Sequence, residues 1–162
     1  MKILISPILI IVISILALYG CQKSESVLTD IKKSEIEESV KNAFNDIIAT
    51  VNDHDVNSMM EYYWNNENFA FVRNGIILQG WDDLYKIRSA AHSNPENQSF
   101  TMTVDQIKVN VYTTDMAMVS AIGTINNLPS EEGTISVSVA ATYLMQKINN
   151  RWIVIHGHTS AK

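Results

Sequence analysis

Four segments with alternating apolar side chains occupy the C-terminal part of the chain, and they constrain its fold more than any other feature. Alternation with a period of two is typical of β-strands. In the first segment the apolar positions change parity after Val104, which predicts a β-bulge near residues 105–106. The Asn149-Asn150 dipeptide predicts a turn into the last segment. The four predicted strands span residues 100–111, 116–125, 135–147 and 151–159.

Apolar residues at helical spacing precede these strands and predict three helices. The helices are expected over residues 34–52, 55–64 and 80–95, and the first is expected to start at the capping box "SEIE". Between the second and third helices, Asn74-Gly75 predicts a β-hairpin over residues 69–79, because this dipeptide suits a type I′ turn. Helices followed by long antiparallel strands indicate the α+β class.

The order of these elements resembles the nuclear transport factor 2-like superfamily. The residues that carry the resemblance are "FNDIIATVNDHDVNSMMEYYW", "NG…LQGWDDL" and "TYLMQKINNRWIVIHGHTS". The last stretch is similar to the closing hairpin of SnoaL-like domains. The resemblance implies a cone-shaped fold, with three helices packed on a bent, mostly antiparallel sheet, and a sheet face that commonly forms a dimer. It predicts fold better than function, because the superfamily includes isomerases, dehydratases, hydrolases, transport factors and kinase association domains.

The N-terminus has the pattern of an exported protein. Lys2 is followed by an apolar run over residues 3–18, which is shorter than the roughly 20 residues of a bilayer-spanning helix. The next residues, "LYGC", resemble a bacterial lipobox that ends at Cys21, the single cysteine of the chain. The resemblance implies that residues 1–20 are a signal peptide and that Cys21 carries acyl chains such as palmitate. The alternative is an ordinary membrane anchor that ends in a free thiol.

A lipoprotein of this kind is expected in the bacterial cell envelope, and on the outer membrane if the cell is Gram-negative. Residues 22–33 are predicted to form a flexible tether, and residues 34–162 a single SnoaL-like domain. The formal net charge is −5 at pH 7, and the chain has no cluster of Lys and Arg residues. Nucleic acid is therefore not an expected partner. No phosphate-binding loop, nucleophile elbow or zinc signature is present, so neither a cofactor nor a metal is predicted.

Two histidines, His156 and His158, lie in the last predicted strand. With regular alternation they share a face with Trp152. Three interpretations remain open: one histidine is a general base, both bind zinc together with a third ligand, or both are hydrogen-bonded in a cavity or an interface. The other histidines, His54 and His92, lie beside predicted helix ends, where side chains are usually exposed.

The cone of the fold is expected to enclose an apolar pocket. The favoured function is a membrane-anchored domain that binds a small hydrophobic molecule, or that acts as a homodimeric assembly module, or both. The alternative is an enzyme of the isomerase or dehydratase kind, with His156 or His158 as base and a tyrosine that polarises an oxygen. The residues expected to line the pocket are Tyr63, Trp64, Phe71, Met102, Tyr143 and Trp152.

Overall fold

A computed structural model describes residues 28–162, which fold into three α-helices and a six-stranded sheet. The helices are α1 (Asp30–Asn52), α2 (Val56–Met60) and α3 (Trp81–Ser93), and a 3-10 helix spans Pro95–Ser99. The strands are β1 (Ala70–Arg73), β2 (Ile76–Gln79), β3 (Thr101–Val111), β4 (Met116–Ser130), β5 (Gly133–Ile148) and β6 (Arg151–Ala161). The predicted α+β class and the predicted order of elements are confirmed.

Helix α1 begins one turn earlier than predicted. Thr29, and not Ser34, caps it, because the Thr29 Oγ1 accepts a hydrogen bond from the Lys32 backbone N–H at 3.3 Å. Asp30 adds a negative charge to the first turn, where the helix dipole favours it. Residues 30–33 of the predicted tether are therefore helical. No helix within residues 28–162 has both the length and the apolar character that crossing a membrane requires.

Helix α2 is shorter than predicted. Asp55 caps its start, and its carboxylate accepts hydrogen bonds from the Ser58 backbone N–H at 3.0 Å and from the Ser58 hydroxyl at 2.6 Å. The helix ends at Met60 because the following residues pair with the last strand of the sheet. The Trp64 backbone N–H donates to the Val154 carbonyl at 2.9 Å. This bridge holds residues 61–64 against β6.

The sheet is mixed, mostly antiparallel and open, with the strand order β2-β1-β6-β5-β4-β3. Only the β1–β6 pair is parallel. The predicted hairpin joins β1 to β2, and φ is positive at both Asn74 (48°) and Gly75 (81°), as a type I′ turn requires. Helix α1 packs on one face of the sheet, which we call the inner face, and the core lies between them. The opposite face is the outer face.

Bulges bend the long strands and change which side chains face inward. The predicted bulge in β3 is confirmed, because the pairing register with β4 shifts between Val104 and Gln106. A second bulge lies in β6, where Ile155 has no partner in β5. Before it, Trp152 and Val154 face the core; after it, Gly157 does. The predicted row that joins Trp152 to the two following histidines is therefore wrong.

Candidate functional site

A cavity of about 90 Å³ lies between helix α1 and the inner face of the sheet. Apolar or small side chains form most of its wall. Helix α1 contributes Phe44, Ile47, Ile48 and Val51. The sheet contributes Met102, Val104, Ala121, Ile125, Val139 and Ala141. Such a lining favours the burial of an apolar ligand, because apolar surface is stabilised when it leaves water.

One end of the cavity is polar. Arg73 lines it at the end of β1 and Arg88 lines it from α3. Tyr63 and Tyr143 line it as well, and the Tyr63 hydroxyl donates a hydrogen bond to the Tyr143 hydroxyl at 3.4 Å. Among the residues that line the cavity there is no aspartate or glutamate. Asn74, Thr159 and Ser160 also line the cavity beside Arg73, so the polar end combines two guanidinium groups with hydroxyl and amide groups and has no carboxylate.

Burial shapes the ionisation of these groups. Burial is the main cause that raises the pKa of the Tyr63 phenol well above its usual value, and the neighbouring Tyr143 adds to it, while Arg88 acts in the opposite direction. Burial, followed by the charge of Arg88, lowers the pKa of Arg73. Arg73 stays charged even so, because a guanidinium group is too weak an acid to lose its proton in a protein. Near neutral pH Tyr63 is therefore a neutral hydrogen-bond donor and Arg73 is a cation.

Three of the six residues predicted to line the pocket do so. Tyr63, Met102 and Tyr143 are in the wall of the cavity. Phe71 lies behind this wall, fully buried, with its ring centroid 6.2 Å from that of Tyr63 and 5.9 Å from that of Tyr143. It supports the two tyrosines without lining the cavity.

The two predicted tryptophans do not line the cavity. Trp152 lies on β6 toward α1, and its indole Nε1–H donates to the Ser39 hydroxyl at 3.0 Å. Trp64 is partly buried and packs against the core from the segment that follows α2. Trp152 lines a separate groove that includes Ser39 and Arg151, and neither tryptophan lines the cavity.

His156 and His158 lie on the outer face of the sheet and are exposed. They pair with Leu144 and Thr142 of β5, and neither histidine lines the cavity. The described residues therefore do not assemble the pair of a histidine base and a pocket tyrosine that the enzyme hypothesis requires. Within residues 28–162, no group of three or more His, Cys, Asp or Glu side chains is placed to hold a metal ion.

A family model described as SnoaL-like domain matches residues 40–162. The chain belongs to the SnoaL-like family. The match begins inside α1 and includes every strand of the sheet, so the cavity and both of its ends lie within the SnoaL-like domain. No curated protein matches the chain.

Solved structures support the same fold for this SnoaL-like domain. An NTF2-like protein of unknown function from Shewanella oneidensis is 23% identical, with a TM-score of 0.58 over 76% of this chain and 97% of that one. The CaMKII hub from S. rosetta is 15% identical, with a TM-score of 0.67 over 78% and 96%. An NTF2-like superfamily protein from Salmonella enterica is 15% identical, with a TM-score of 0.65 over 79% and 92%. At these identities the likeness shows the fold alone.

The SnoaL-like domain also buries a histidine that the sequence predicts to be exposed. His92 is 6% exposed at the end of α3, and its ring packs against His54 (5.3 Å between centroids) and Phe100 (5.4 Å). Burial, then the charge of Arg88, then His54 lower the pKa of His92 to about 4. His92 is therefore neutral near pH 7. His92 therefore adds no positive charge to those of Arg73 and Arg88.

Arg73 and Arg88 are the functional candidates that the sequence prediction missed. Arg88 follows the buried Leu84 by four residues on α3, so the two side chains share one face of the helix. Arg73 directly precedes the predicted Asn74-Gly75 turn at the end of a strand. A charged residue at an inward-facing position of a helix is a usable signal in a SnoaL-like domain, and Arg88 carries that signal.

Proposed function

We propose that this SnoaL-like domain binds a small apolar molecule in the cavity between α1 and the sheet. Support comes from the enclosure of the cavity by apolar side chains of α1 and of strands β3, β4 and β5, with two arginines and two tyrosines close together at one end. Pockets that bind small molecules commonly combine an apolar wall with a few polar groups that orient the ligand. The volume of about 90 Å³ restricts the ligand to a small ring or a short aliphatic chain.

Two alanines on adjacent positions of β5 allow a matched test of this proposal. Ala141 lines the cavity, whereas Ala140 is exposed on the outer face. Ala141→Leu should fill the cavity and abolish binding of benzamide, a small neutral ring compound, and Ala140→Leu should leave binding unchanged. Titration followed by two-dimensional NMR should shift the amide signals of Ala121, Ala141 and Thr159 in the parent. Equal binding to Ala141→Leu and to the parent would contradict the proposal.

A second proposal is that the outer face joins two copies of the chain. Cross-strand rows on this face run Asn110–Met118–Leu144–His156, Lys108–Ser120–Thr142–His158 and Gln106–Ile122–Ala140. Lys108 is the single formally charged Lys, Arg, Asp or Glu residue in these rows, and Ile122 is 43% exposed. A broad sheet face with little charge and with exposed apolar side chains is typical of an interface. A second copy of the chain fits this face, because a surface with almost no net charge does not repel an identical surface across a two-fold axis.

We also propose that Cys21 anchors the domain to a membrane of the bacterial cell envelope through attached acyl chains. Cys21 lies outside the described residues, and the proposal is based on the resemblance of "LYGC" to a lipobox. One acyl chain gives only marginal anchoring, so several chains are expected. Cys21→Ala should abolish incorporation of a clickable palmitate analogue and move the protein from the detergent phase to the aqueous phase. Equal labelling of the variant and the parent would contradict the lipoprotein proposal.

A further inference from the structure

Arg73 and Arg88 have no carboxylate partner among residues 28–162. The ion pairs within residues 28–162 are Lys32–Glu35, Lys86–Asp83 and Arg151–Glu61. All of their members are well exposed to water, where pairing contributes little. Arg73 and Arg88, by contrast, are half-buried, line a cavity without acids, and form no ion pair in this part of the chain. Partial burial of two like charges is unfavourable unless something compensates it.

The contacts of Arg88 point to the missing partner. Its guanidinium carbon lies 5.8 Å from the centroid of the Phe71 ring, so the aromatic face stabilises the cation on one side. Its Nε is buried and has no hydrogen-bond acceptor among the described residues. Buried donors in folded proteins almost always have an acceptor. A ligand in the cavity that carries a hydrogen-bond acceptor would satisfy the Arg88 Nε–H.

The hydroxyl pair extends the same arrangement. Tyr143 accepts a hydrogen bond from Tyr63, and a phenol that accepts can still donate its own proton. Tyr143, Arg73 and Arg88 all line one end of the cavity. A group that meets two guanidinium cations and a phenol donor there must accept hydrogen bonds, and a negative charge on it would offset the two positive ones.

We infer that the ligand of this cavity is a small carboxylic acid in its anionic form, whose carboxylate is bound by Arg73 and Arg88 and whose apolar part lies against α1. This inference rests on the proposed ligand-binding function. Guanidinium groups bind carboxylates through parallel hydrogen bonds, which selects for planar anions. The remaining wall is apolar, which suits an acid with a short chain or a small ring and does not suit the fully polar surface of inorganic phosphate.

Benzoate, benzamide and inorganic phosphate separate the possible outcomes. Benzoate and benzamide have nearly the same shape and differ in charge, so binding of both is measured by NMR titration at pH 7 and low ionic strength. Benzoate should bind at least about 10-fold more tightly than benzamide. Arg73→Gln and Arg88→Gln should each weaken benzoate binding by roughly 10-fold or more and change benzamide binding less than about 2-fold. Phosphate should not displace benzoate at equal concentration.

The third arginine of the chain provides the control. Arg151 is exposed, pairs with Glu61 and lies away from the cavity, so Arg151→Gln should leave both affinities unchanged. Arg73→Gln and Arg88→Gln should each keep a Tm at or above that of the parent, because each substitution removes a half-buried charge that no carboxylate among the described residues offsets. Arg73→Lys and Arg88→Lys keep the positive charge but lose the paired N–H donors of the guanidinium group. They should weaken benzoate binding by less than the Gln variants do.

The alternative results are distinguishable. Equal affinity for benzoate and benzamide in the parent would overturn the carboxylate inference and leave the proposed function standing. Binding of neither compound would overturn both. Displacement of benzoate by equimolar phosphate would overturn the preference for an organic acid, and an equal loss in Arg151→Gln would overturn the assignment to Arg73 and Arg88.

Discussion

Gly157→Ala should destabilise the domain by about 2–3 kcal/mol. A Cβ atom added at Gly157 would lie 2.5 Å and 2.6 Å from two ring carbons of Phe71 and 3.3 Å from the Tyr143 ring. Both rings are buried, so neither can turn away into solvent. Interiors packed to crystal-like density accommodate an extra carbon only through strain. Urea denaturation of the parent and the variant at one fixed protein concentration measures the change in the free energy of unfolding.

A double-mutant cycle with Phe71→Leu identifies the cause of that loss. If the collision with the Phe71 ring is the cause, Phe71→Leu should relieve it. The loss in free energy of unfolding of the double variant should then be smaller than the sum of the two single losses by about 1 kcal/mol or more. Additive effects would contradict the collision. Because Phe71 and Tyr143 support the polar end of the cavity, Gly157→Ala should also weaken benzamide binding.

Thr142→Glu should convert a homodimer of residues 28–162 into a monomer. Thr142 is exposed at the centre of the outer face, between Ser120 of β4 and His158 of β6. In the proposed dimer the substitution would bury an unpaired carboxylate of each copy near the two-fold axis. This should weaken association by at least about 100-fold. Light scattering coupled to size exclusion at micromolar concentration gives the mass of both proteins.

Thr134→Glu is the matched control for this prediction. Thr134 is an exposed threonine of the same strand, eight positions away and thus roughly 26 Å along β5. It pairs with Pro129, outside the rows of the outer face. This variant should remain dimeric. A parent that is monomeric, or two variants that behave alike, would contradict a dimer formed by the outer face.

The sequence carries enough information for the elements and for the bulge in β3, but not for the bulge in β6. In β3 the apolar positions change parity after Val104, and the polar residues between them make the change visible. In β6 all four residues from Trp152 to Ile155 are apolar, so a change of parity leaves no trace in the pattern. The start of α1 was predicted one turn late because Ser34 and Thr29 are both suitable caps, and the sequence does not rank them.

The aromatic and apolar residues of the candidate site could be predicted in part. Met102 and Tyr143 occupy inward positions of strands, and Tyr63 lies in the segment that pairs with β6, so pattern and resemblance point to these three residues. Arg73 and Arg88 were missed because charged residues are usually exposed, and burial of a charge depends on contacts between distant segments. Arg73 comes from the end of β1 and Arg88 from the middle of α3, and only the folded chain brings them to one cavity.

The extra residue at Ile155 also bears on how this strand is aligned with relatives. A relative whose corresponding strand has no bulge would present the opposite set of side chains from that point on. Position-by-position alignment without a gap would then equate His156 and His158 of the outer face with inward-facing residues of the relative. Histidine-based activities should therefore be transferred between such proteins only after the register at residue 155 has been compared in three dimensions.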